Sequence, residues 1–159
     1  MSSIASQLLD HVKTRLVAVN GAGTYVNDLS ADDQVQIAMP PEGAIMLVPA
    51  AFIYDLTIDT QPGPQLPGWQ HTATVSILAV TAATDVTEES RVKAAWDLAD
   101  DIFRSLIADR SPSVSGATGS LVTDVRPQTD AVAGGAGTAY ERYGVASITV
   151  TILYRGPKL

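Results

Sequence analysis

The chain has 159 residues, of which 46% are apolar and 17% charged, and it contains no cysteine. This composition predicts one globular domain over residues 1–159, since disordered chains are poorer in apolar residues, and it excludes disulfides, thiolate metal sites and cysteine nucleophiles. The net charge is −7, and no Lys or Arg occurs from Leu16 to Ser90, a stretch that holds nine of the 17 acids. A protein that grips duplex DNA needs clustered basic residues, so this charge pattern excludes that class.

We expect a cytosolic-type chain without a membrane segment. The first residues, Met1 to Ile4, lack the basic and apolar regions of a secretory signal. The longest apolar run extends from Ala44 to Tyr54 and is interrupted by Pro49. It is shorter than the about 20 residues that cross a bilayer.

The apolar spacing predicts a first helix over residues 3–19. Its apolar residues recur at steps of four or three, which stacks their side chains on one face. These residues are Ile4, Leu8, Val12, Leu16 and Val19. Ser2 or Ser3 provides an N-cap, and Asn20 with Gly21 tolerates the left-handed turn that often ends a helix.

A period of two follows the first helix and predicts short strands. The candidate strands are Thr24–Asp28, Val35–Met39, Ala44–Val48, Phe52–Asp59 and His71–Ala82. Between the last two, residues 61–70 are rich in proline and glycine. This composition predicts an arm that is too long for a tight hairpin turn.

The second helix is predicted from a capping box at Asp85–Glu88, in which acidic side chains also complement the helix dipole. An apolar face follows at spacings of three and four residues. Its members are Val92, Ala95, Trp96, Ala99, Ile102, Phe103, Leu106 and Ile107. We expect the helix to end at Ser111 and Pro112.

The last third is predicted as two strands joined by a loop. Residues 120–126 form the first strand, which we expect Pro127 to stop. Residues 129–139 are small and glycine-rich, which favours a mobile loop, and residues 144–154 alternate as the second strand. Neither amphipathic helix can bury its apolar face alone. The predicted fold class is therefore α+β, with two layers and both helices packed on one face of a mostly antiparallel β-sheet.

Two glycine segments, residues 21–25 and 135–140, do not fit nucleotide binding. A dinucleotide site needs a glycine-rich turn from a strand into a helix, whereas both segments lead into a predicted strand. No Gly-x4-Gly-Lys-Ser/Thr loop occurs either. We expect ordinary loop glycines and no cofactor.

Clustered carboxylates do not predict a catalytic site. Asp97, Asp100 and Asp101 lie within about one turn of the second helix, but the apolar face of that helix leaves most of them pointing outward. Asp32 and Asp33 follow Ser30 in a turn context and are interpreted in the same way. We interpret both groups as solvated surface.

The histidines and tryptophans do not indicate a catalytic or metal-binding site either. His11 and His71 are the only histidines, and neither has a neighbouring ligand at metal-binding spacing or a Gly-x-Ser-x-Gly motif. Trp96 is assigned to the helix core, and Trp69 to the arm, where an aromatic side chain more often anchors a partner. The residues thus predict no catalytic, cofactor-binding or metal-binding site.

The order of elements resembles a known family. The first helix has the form Ile-x3-Leu-Leu-x2-Val-x3-Leu, and a Tyr-Val-Asn segment follows a glycine turn. The second helix ends Leu-Ala-Asp-Asp-Ile-Phe-Arg-Ser-Leu, and the chain closes on Ala-Ser-Ile-Thr-Val-Thr-Ile-Leu-Tyr-Arg. From about Ile4 to Arg155 this pattern is similar to the tail terminator (tail completion, head–tail joining) proteins of long-tailed bacteriophages.

The resemblance implies a structural virion protein of the tail and neck, assembled in the host cytoplasm, with no catalytic residues. Family members form a hexameric ring that ends the tail tube and faces the neck, and DNA passes through this ring without specific binding. The implied partners are further copies of the chain, the tail tube protein and a neck or head-completion protein. The alternatives are another neck component, such as a head-closure or stopper protein, or a small cytosolic enzyme or ligand-binding module that uses His71 or the helix carboxylates.

Two sets of surface residues are expected in such a ring. A 159-residue globule is roughly 39 Å across, so six copies in a ring leave a hole wide enough for duplex DNA. The candidate protein contacts are Gln65, Trp69, Gln70, Ser115, Thr118, Thr138 and Tyr140. The candidate lumen acids, whose charge would keep passing DNA from sticking, are Asp28, Asp32, Asp33, Glu42, Asp55 and Asp59.

Overall fold

Two helices and five strands make up the regular structure of the described residues. The computed structural model describes residues 3–42, 48–62, 69–81, 87–110, 121–135, 138 and 140–156. The helices are α1 (Ile4–Val17) and α2 (Glu88–Ile107). The strands are β1 (Val35–Gln36), β2 (Ala50–Pro62), β3 (Trp69–Val80), β4 (Leu121–Ala133) and β5 (Gly144–Gly156).

The strands form one sheet in the order β1-β2-β3-β5-β4. The short strand β1 runs parallel to β2, and every other neighbouring pair is antiparallel. The register is interrupted between Ile53 and Asp55 in β2 and between Val122 and Asp124 in β4. The two long outer strands, β2 and β4, thus each carry an irregularity.

Both helices pack on the same face of this sheet, which confirms the predicted α+β architecture. Leu8 and Leu16 of α1 and Ile102 of α2 are fully buried in one core with Ile148 and Ile152 of β5. The predicted alternation of β5 is confirmed as well, because its even-numbered residues from 146 to 154 are buried while Ser147 and Thr149 on the other side are exposed.

The helices are also joined to each other near their C-terminal ends. The Nε of Arg15 donates to the carbonyl oxygen of Ser105 at 2.9 Å, and the hydroxyl of Ser105 donates to the carbonyl oxygen of Arg15. At the start of α1, the Ser3 hydroxyl accepts from the backbone N–H of Ser6, so the predicted N-cap is confirmed at Ser3.

The boundaries of α2 differ from those predicted. Its N-cap is Thr87, whose side chain accepts from the N–H of Ser90, and not Asp85, which lies outside the described residues. The helix ends at Ile107 instead of reaching Ser111. The sequence places the acidic residues of the first turn correctly, but a threonine closer to the helix makes the capping bond.

The prediction that Trp96 belongs to the helix core is wrong. Its side chain is 45% exposed, whereas Ala95, Ala99 and Ile102 are fully buried. Successive residues are about 100° apart around a helix, so Trp96 lies at the border of the face that Ala95 and Ala99 bury.

Three predicted strands before β2 are revised. Thr24–Asp28 forms no strand of the sheet and has only a bridge between Asn20 and Asp28. Val35–Met39 shortens to the two residues of β1, and most of Ala44–Val48 lies outside the described residues. The N–H of Leu29 instead bonds the carbonyl oxygen of Val19 at 2.7 Å, which folds this connection back onto the end of α1.

Strand β4 does not stop at Pro127, contrary to the prediction. It continues to Ala133, so that residues 129–133 of the predicted loop belong to the sheet. Strand β4 lies at the sheet edge, so one of its sides has no neighbouring strand among the described residues. A proline whose nitrogen faces that side interrupts no hydrogen bond between strands, which is how an edge strand tolerates Pro127. The predicted arm at 61–70 likewise shortens, since β2 extends to Pro62 and β3 begins at Trp69, and residues 63–68 lie outside the described residues.

Candidate interaction surfaces

In its central part, the sheet face opposite the helices is polar and rich in hydroxyl groups. We call it the open face. Its central residues are Thr57 of β2, Thr72, Thr74 and Ser76 of β3, and Ser147, Thr149 and Thr151 of β5, all of them exposed or half-buried. No Lys or Arg occurs in β2 or β3, so this half of the open face contains no positive charge.

The six predicted lumen acids fall into two groups. Asp55 and Asp59 are exposed on the open face, where they pair in register with Ser76 and Thr72 of β3. The other four are exposed in the connection between α1 and β2. They are Asp28, Asp32, Asp33 and Glu42. This connection is anchored to α2 and to the core. The structure therefore does not bring all six acids onto one surface.

The predicted contact residues that the structure describes lie at opposite ends of the sheet. Trp69 and Gln70 begin β3 at the end we call the arm end, where they pair with the last residues of β5. Thr138 and Tyr140 lie at the other end, the loop end, in the connection between β4 and β5. Strands of 12 or 13 residues are about 40 Å long, so the two pairs are far apart.

The remaining three predicted contact residues, Gln65, Ser115 and Thr118, lie outside the described residues. In the loop-end connection, the Thr138 hydroxyl donates to the carbonyl oxygen of Gly135 at 2.6 Å and accepts from the N–H of Tyr140. Tyr140 is half-buried, and this burial raises its pKa. The loop end is thus held by local hydrogen bonds.

Among the acids of α2, Asp101 has a structural role that the sequence analysis missed. Asp97 and Asp100 are exposed, as predicted, but Asp101 is 1% exposed. Its carboxylate accepts from the backbone N–H groups of Val26 and Asn27 and from the side-chain amide of Asn27. The outward orientation predicted for these acids is therefore wrong for Asp101, which anchors the connection between α1 and β1.

Two arginines share one carboxylate at the edge of β4. Arg110, just after α2, donates from Nε and from a terminal nitrogen to Asp124 at 3.1 and 2.9 Å. Arg126 donates to the other oxygen of Asp124 at 2.6 Å. We call Arg110, Asp124 and Arg126 the two-arginine cluster. The spacing of Asp124 and Arg126 places both on one side of a strand, but nothing local in the sequence indicates that Arg110 joins them.

The hydrogen bonds from Arg126, followed by those from Arg110, lower the pKa of the Asp124 carboxyl from its ordinary value of 3.8. This carboxyl is therefore ionised at neutral pH. With two guanidinium groups against one carboxylate, the two-arginine cluster has a positive charge in excess.

The surroundings of the two histidines indicate structural roles. His71 is fully buried, with Nδ1 3.0 Å from the Thr60 hydroxyl oxygen and the ring stacked on Tyr154 at 4.7 Å between centroids. The Tyr154 hydroxyl is buried without a hydrogen-bond partner, and burial raises its pKa. His11 of α1 has a buried Nε2 without a partner, and desolvation lowers its pKa from 6.5.

Other features of the described residues do not assemble a reaction centre. A depression of about 480 Å³ lies along the first turns of α2, and its lining residues include Glu89, Lys93 and Asp97. Glu89 and Lys93 form an exposed ion pair of 2.6 Å there. Within the described ranges, no group of three or more potential metal ligands is close enough to hold an ion. Neither α1 nor α2 is long and apolar enough to span a membrane.

Comparison with known proteins shows similarity at the level of the fold. No family model and no curated protein matches the sequence. A chain of a solved structure described as the virion of a native gene transfer agent particle matches with a TM-score of 0.61 and 13% sequence identity. The match covers 98% of this chain and 100% of the matched chain. At this identity the likeness shows that the two chains share their fold over the whole of their length.

Proposed function

We propose that the chain is a structural protein of a phage-like virion, and specifically the tail terminator, which forms a ring at the end of the tail tube and stops its growth. The observation that carries the proposal is the whole-length fold match to a chain from the virion of a gene transfer agent particle. The order of elements, which resembles that of tail terminators, supports the finer assignment.

The distribution of surfaces suits a subunit of a closed ring. Such a subunit needs two different side surfaces for its neighbours and two further surfaces for the structures above and below it. Among the described residues, the sheet has one edge at β4 and one at β2, beyond the two residues of β2 that pair with β1, and its two ends, the arm end and the loop end, are about 40 Å apart. In the proposed ring the edges meet neighbouring copies, and the two ends meet the tail tube and the neck protein.

The open face is proposed to line the lumen. It is polar and has no basic residue on β2 or β3, and Asp55 and Asp59 add negative charge. A wall without clustered basic residues does not hold DNA, so DNA passes without specific binding. In this orientation Asp28, Asp32 and Asp33 lie away from the lumen, because their connection is tied to α2 by Asp101.

The proposed role needs neither catalysis nor a cofactor. The partners are further copies of the chain in a hexameric ring, the tail tube protein and a neck or head-completion protein. A head-closure or stopper protein of the same neck is the nearest alternative, and it differs in its partner, since it binds other neck proteins and does not bind tube ends.

Negative-stain imaging with mass measurement tests the proposal, using the purified chain alone and mixed with tail tubes. We expect ring-shaped densities on tube ends, composed of six copies of the 16.7 kDa chain, about 100 kDa in total. Rings that bind neck proteins but leave tube ends bare would support the alternative neck role. A monomer that engages neither tubes nor neck proteins at any concentration would contradict both.

A further inference from the structure

We propose that the two free edges of the sheet bind each other in neighbouring copies of this chain. Arg110 and Arg126 at the β4 edge of one copy bind Asp55 and Asp59 at the β2 edge of the next copy. The inference rests on the proposed ring and specifies its side contact. A ring with cyclic symmetry requires two different, complementary sides on every copy, and the two edges differ in charge as such a contact requires.

Among the described residues, the β2 edge is unpaired over most of its length, and it is acidic. Strand β1 pairs only with Ala51 and Phe52, so no described strand lies beside β2 from Ile53 to Pro62. Asp55 and Asp59 are exposed along this stretch. Because no Lys or Arg occurs from Leu16 to Ser90, no base from that whole stretch compensates these two carboxylates.

The β4 edge has the opposite character because the two-arginine cluster lies across it. Arg110 comes from the end of α2 in the helix layer, whereas Asp124 pairs in register with Leu153 and therefore lies on the open face. Their ion pair of 2.9 Å thus passes around the edge of the sheet. The side chains of Arg110 and Arg126 are 57% and 63% exposed, so their remaining N–H groups are accessible to a partner.

The charge excess of the cluster is retained when its charged neighbours are counted. The exposed Arg155 lies at the end of the neighbouring strand β5, and Asp130 is the other acid on this side of β4. Counting both, this side of the sheet has three arginines and two aspartates, against two aspartates and no base on β2. An acidic edge and a basic edge on one molecule favour head-to-tail association with a further copy of the same chain.

The sheet register places these charges at the same height. Thr57 of β2 pairs with Thr74 of β3, Thr74 pairs with Thr151 of β5, and Thr151 pairs with Arg126 of β4. Asp55 and Asp59 lie on either side of Thr57 along β2. Cyclic symmetry rotates copies without shifting them along the axis. When the strands run along that axis, Arg126 therefore meets the next copy between its two aspartates.

Side chains, and not a continuous backbone ladder, are expected to make this contact. Both edges contain an irregularity, between Ile53 and Asp55 in β2 and between Val122 and Asp124 in β4. Pro127 in the middle of β4 also lacks an N–H group. Such features keep edge strands from pairing with another chain. Charge complementarity therefore has to supply the specificity of the contact.

Charge exchange between the edges tests this contact in the full chain, with capping of tail tubes as the readout. One variant carries Asp55→Lys and Asp59→Lys, and the other carries Arg110→Glu and Arg126→Glu. Each alone juxtaposes like charges, and we expect at least about a 100-fold rise in the concentration needed to cap tubes. An equimolar mixture restores opposite charges at every boundary, so we expect capping to recover, with the two variants alternating around an even-numbered ring.

The matched control exchanges Glu89 and Lys93, an exposed pair on α2 away from both edges, by Glu89→Lys with Lys93→Glu, and should cap as the native chain does. If circular dichroism shows that a charge-exchange variant does not fold, Asp59→Asn and Arg126→Gln replace it. Each should weaken capping about 10-fold, and together they should weaken it by clearly less than the product of the two single effects, as expected for residues in contact.

Three results would overturn the inference: native capping by either folded charge-exchange variant alone, a mixture that fails to recover, or losses that simply add for the two neutral variants. In all three the native chain caps tubes, so the proposed function stands. Failure of the native chain itself to cap tubes would instead contradict the proposed function.

Discussion

Asn27 and Asp101 are joined by two hydrogen bonds, from the backbone N–H of Asn27 at 2.7 Å and from its side-chain amide at 2.9 Å. The same carboxylate accepts from the N–H of Val26 at 3.0 Å. These bonds fasten the connection that follows α1 to the middle of α2. A buried carboxylate thus takes the place of a strand partner for this segment, which explains why residues 24–28 do not join the sheet.

The first prediction concerns this anchor. Asp101→Ala leaves the N–H groups of Val26 and Asn27 without their acceptor, and buried donors without partners cost free energy. We expect the free energy of unfolding to fall by about 2–4 kcal/mol, measured by urea denaturation. Asp100→Ala is the matched control, since Asp100 is exposed and forms a surface ion pair with Arg104, and it should cost under about 1 kcal/mol. Equal losses for the two variants would contradict the assigned role.

A second prediction concerns the close approach of β5 to α2. A Cβ on Gly144 would collide with the carbonyl oxygen of Arg91 and come within 2.9 Å of the Cβ of Ala95. Gly144→Ala should therefore lower the free energy of unfolding by about 1–3 kcal/mol, because the helix has to move away from the strand. At Gly135 the nearest atom to an added Cβ is 3.5 Å away, so Gly135→Ala should be nearly neutral. Thermal unfolding of both variants checks this contrast.

The third prediction compares two neighbouring apolar residues of α2. Leu98 is fully buried and Trp96 is 45% exposed. Leu98→Ala creates a cavity in the core and should cost about 2–5 kcal/mol, whereas Trp96→Ala removes a partly solvated side chain and should cost about 1–2 kcal/mol. A larger loss for Trp96→Ala, in denaturant titrations of the two variants, would show that the tryptophan belongs to the core after all.

The fourth prediction is a pH dependence from His11. Burial lowers its pKa in the folded chain below the ordinary value of 6.5, so the unfolded chain binds a proton more readily. Its contribution to stability is present above about pH 6.5 and is lost as the pH falls through that value towards the folded pKa. The free energy of unfolding, measured from pH 7.5 to 5, should therefore decrease, and His11→Gln should flatten this slope.

Asp28 and Asp124 contribute to stability in a lower pH range than His11 does. The pKa values of Asp28 and Asp124 are lowered from 3.8, so their contributions are lost only below that pH. An unchanged slope between pH 7.5 and 5 in the His11→Gln variant would contradict the assignment to His11.

Elements whose packing follows their own periodicity could be predicted from the sequence. The apolar spacing of α1 and the alternation of β5 each place residues on a face that the fold buries, so the helix, the strand and their arrangement in two layers follow from local patterns. The continuation of β4 through Pro127 could not be predicted in this way, because it depends on β4 lying at the sheet edge.

The interaction surfaces were harder to predict because they depend on residues that are distant in sequence. Asn27 and Asp101 are 74 positions apart, and Arg110 reaches Asp124 across 14. Asp97, Asp100 and Asp101 are aspartates in the same stretch of α2, and the first and second are exposed. Asp101 differs because the connection between α1 and β1 covers it. The absence of Lys and Arg from Leu16 to Ser90 indicates that acids predominate among the charged residues of this stretch. The fold decides which of these acids share a face.

Growth arrest of tail tubes tests the central claim most directly. Tube protein elongates in the presence of increasing amounts of the chain, and tube lengths are measured by electron microscopy. The account predicts that elongation stops and that the arrested ends bear a ring of this chain. Tubes that grow to the same lengths with and without the chain, with no added density at their ends, would contradict it.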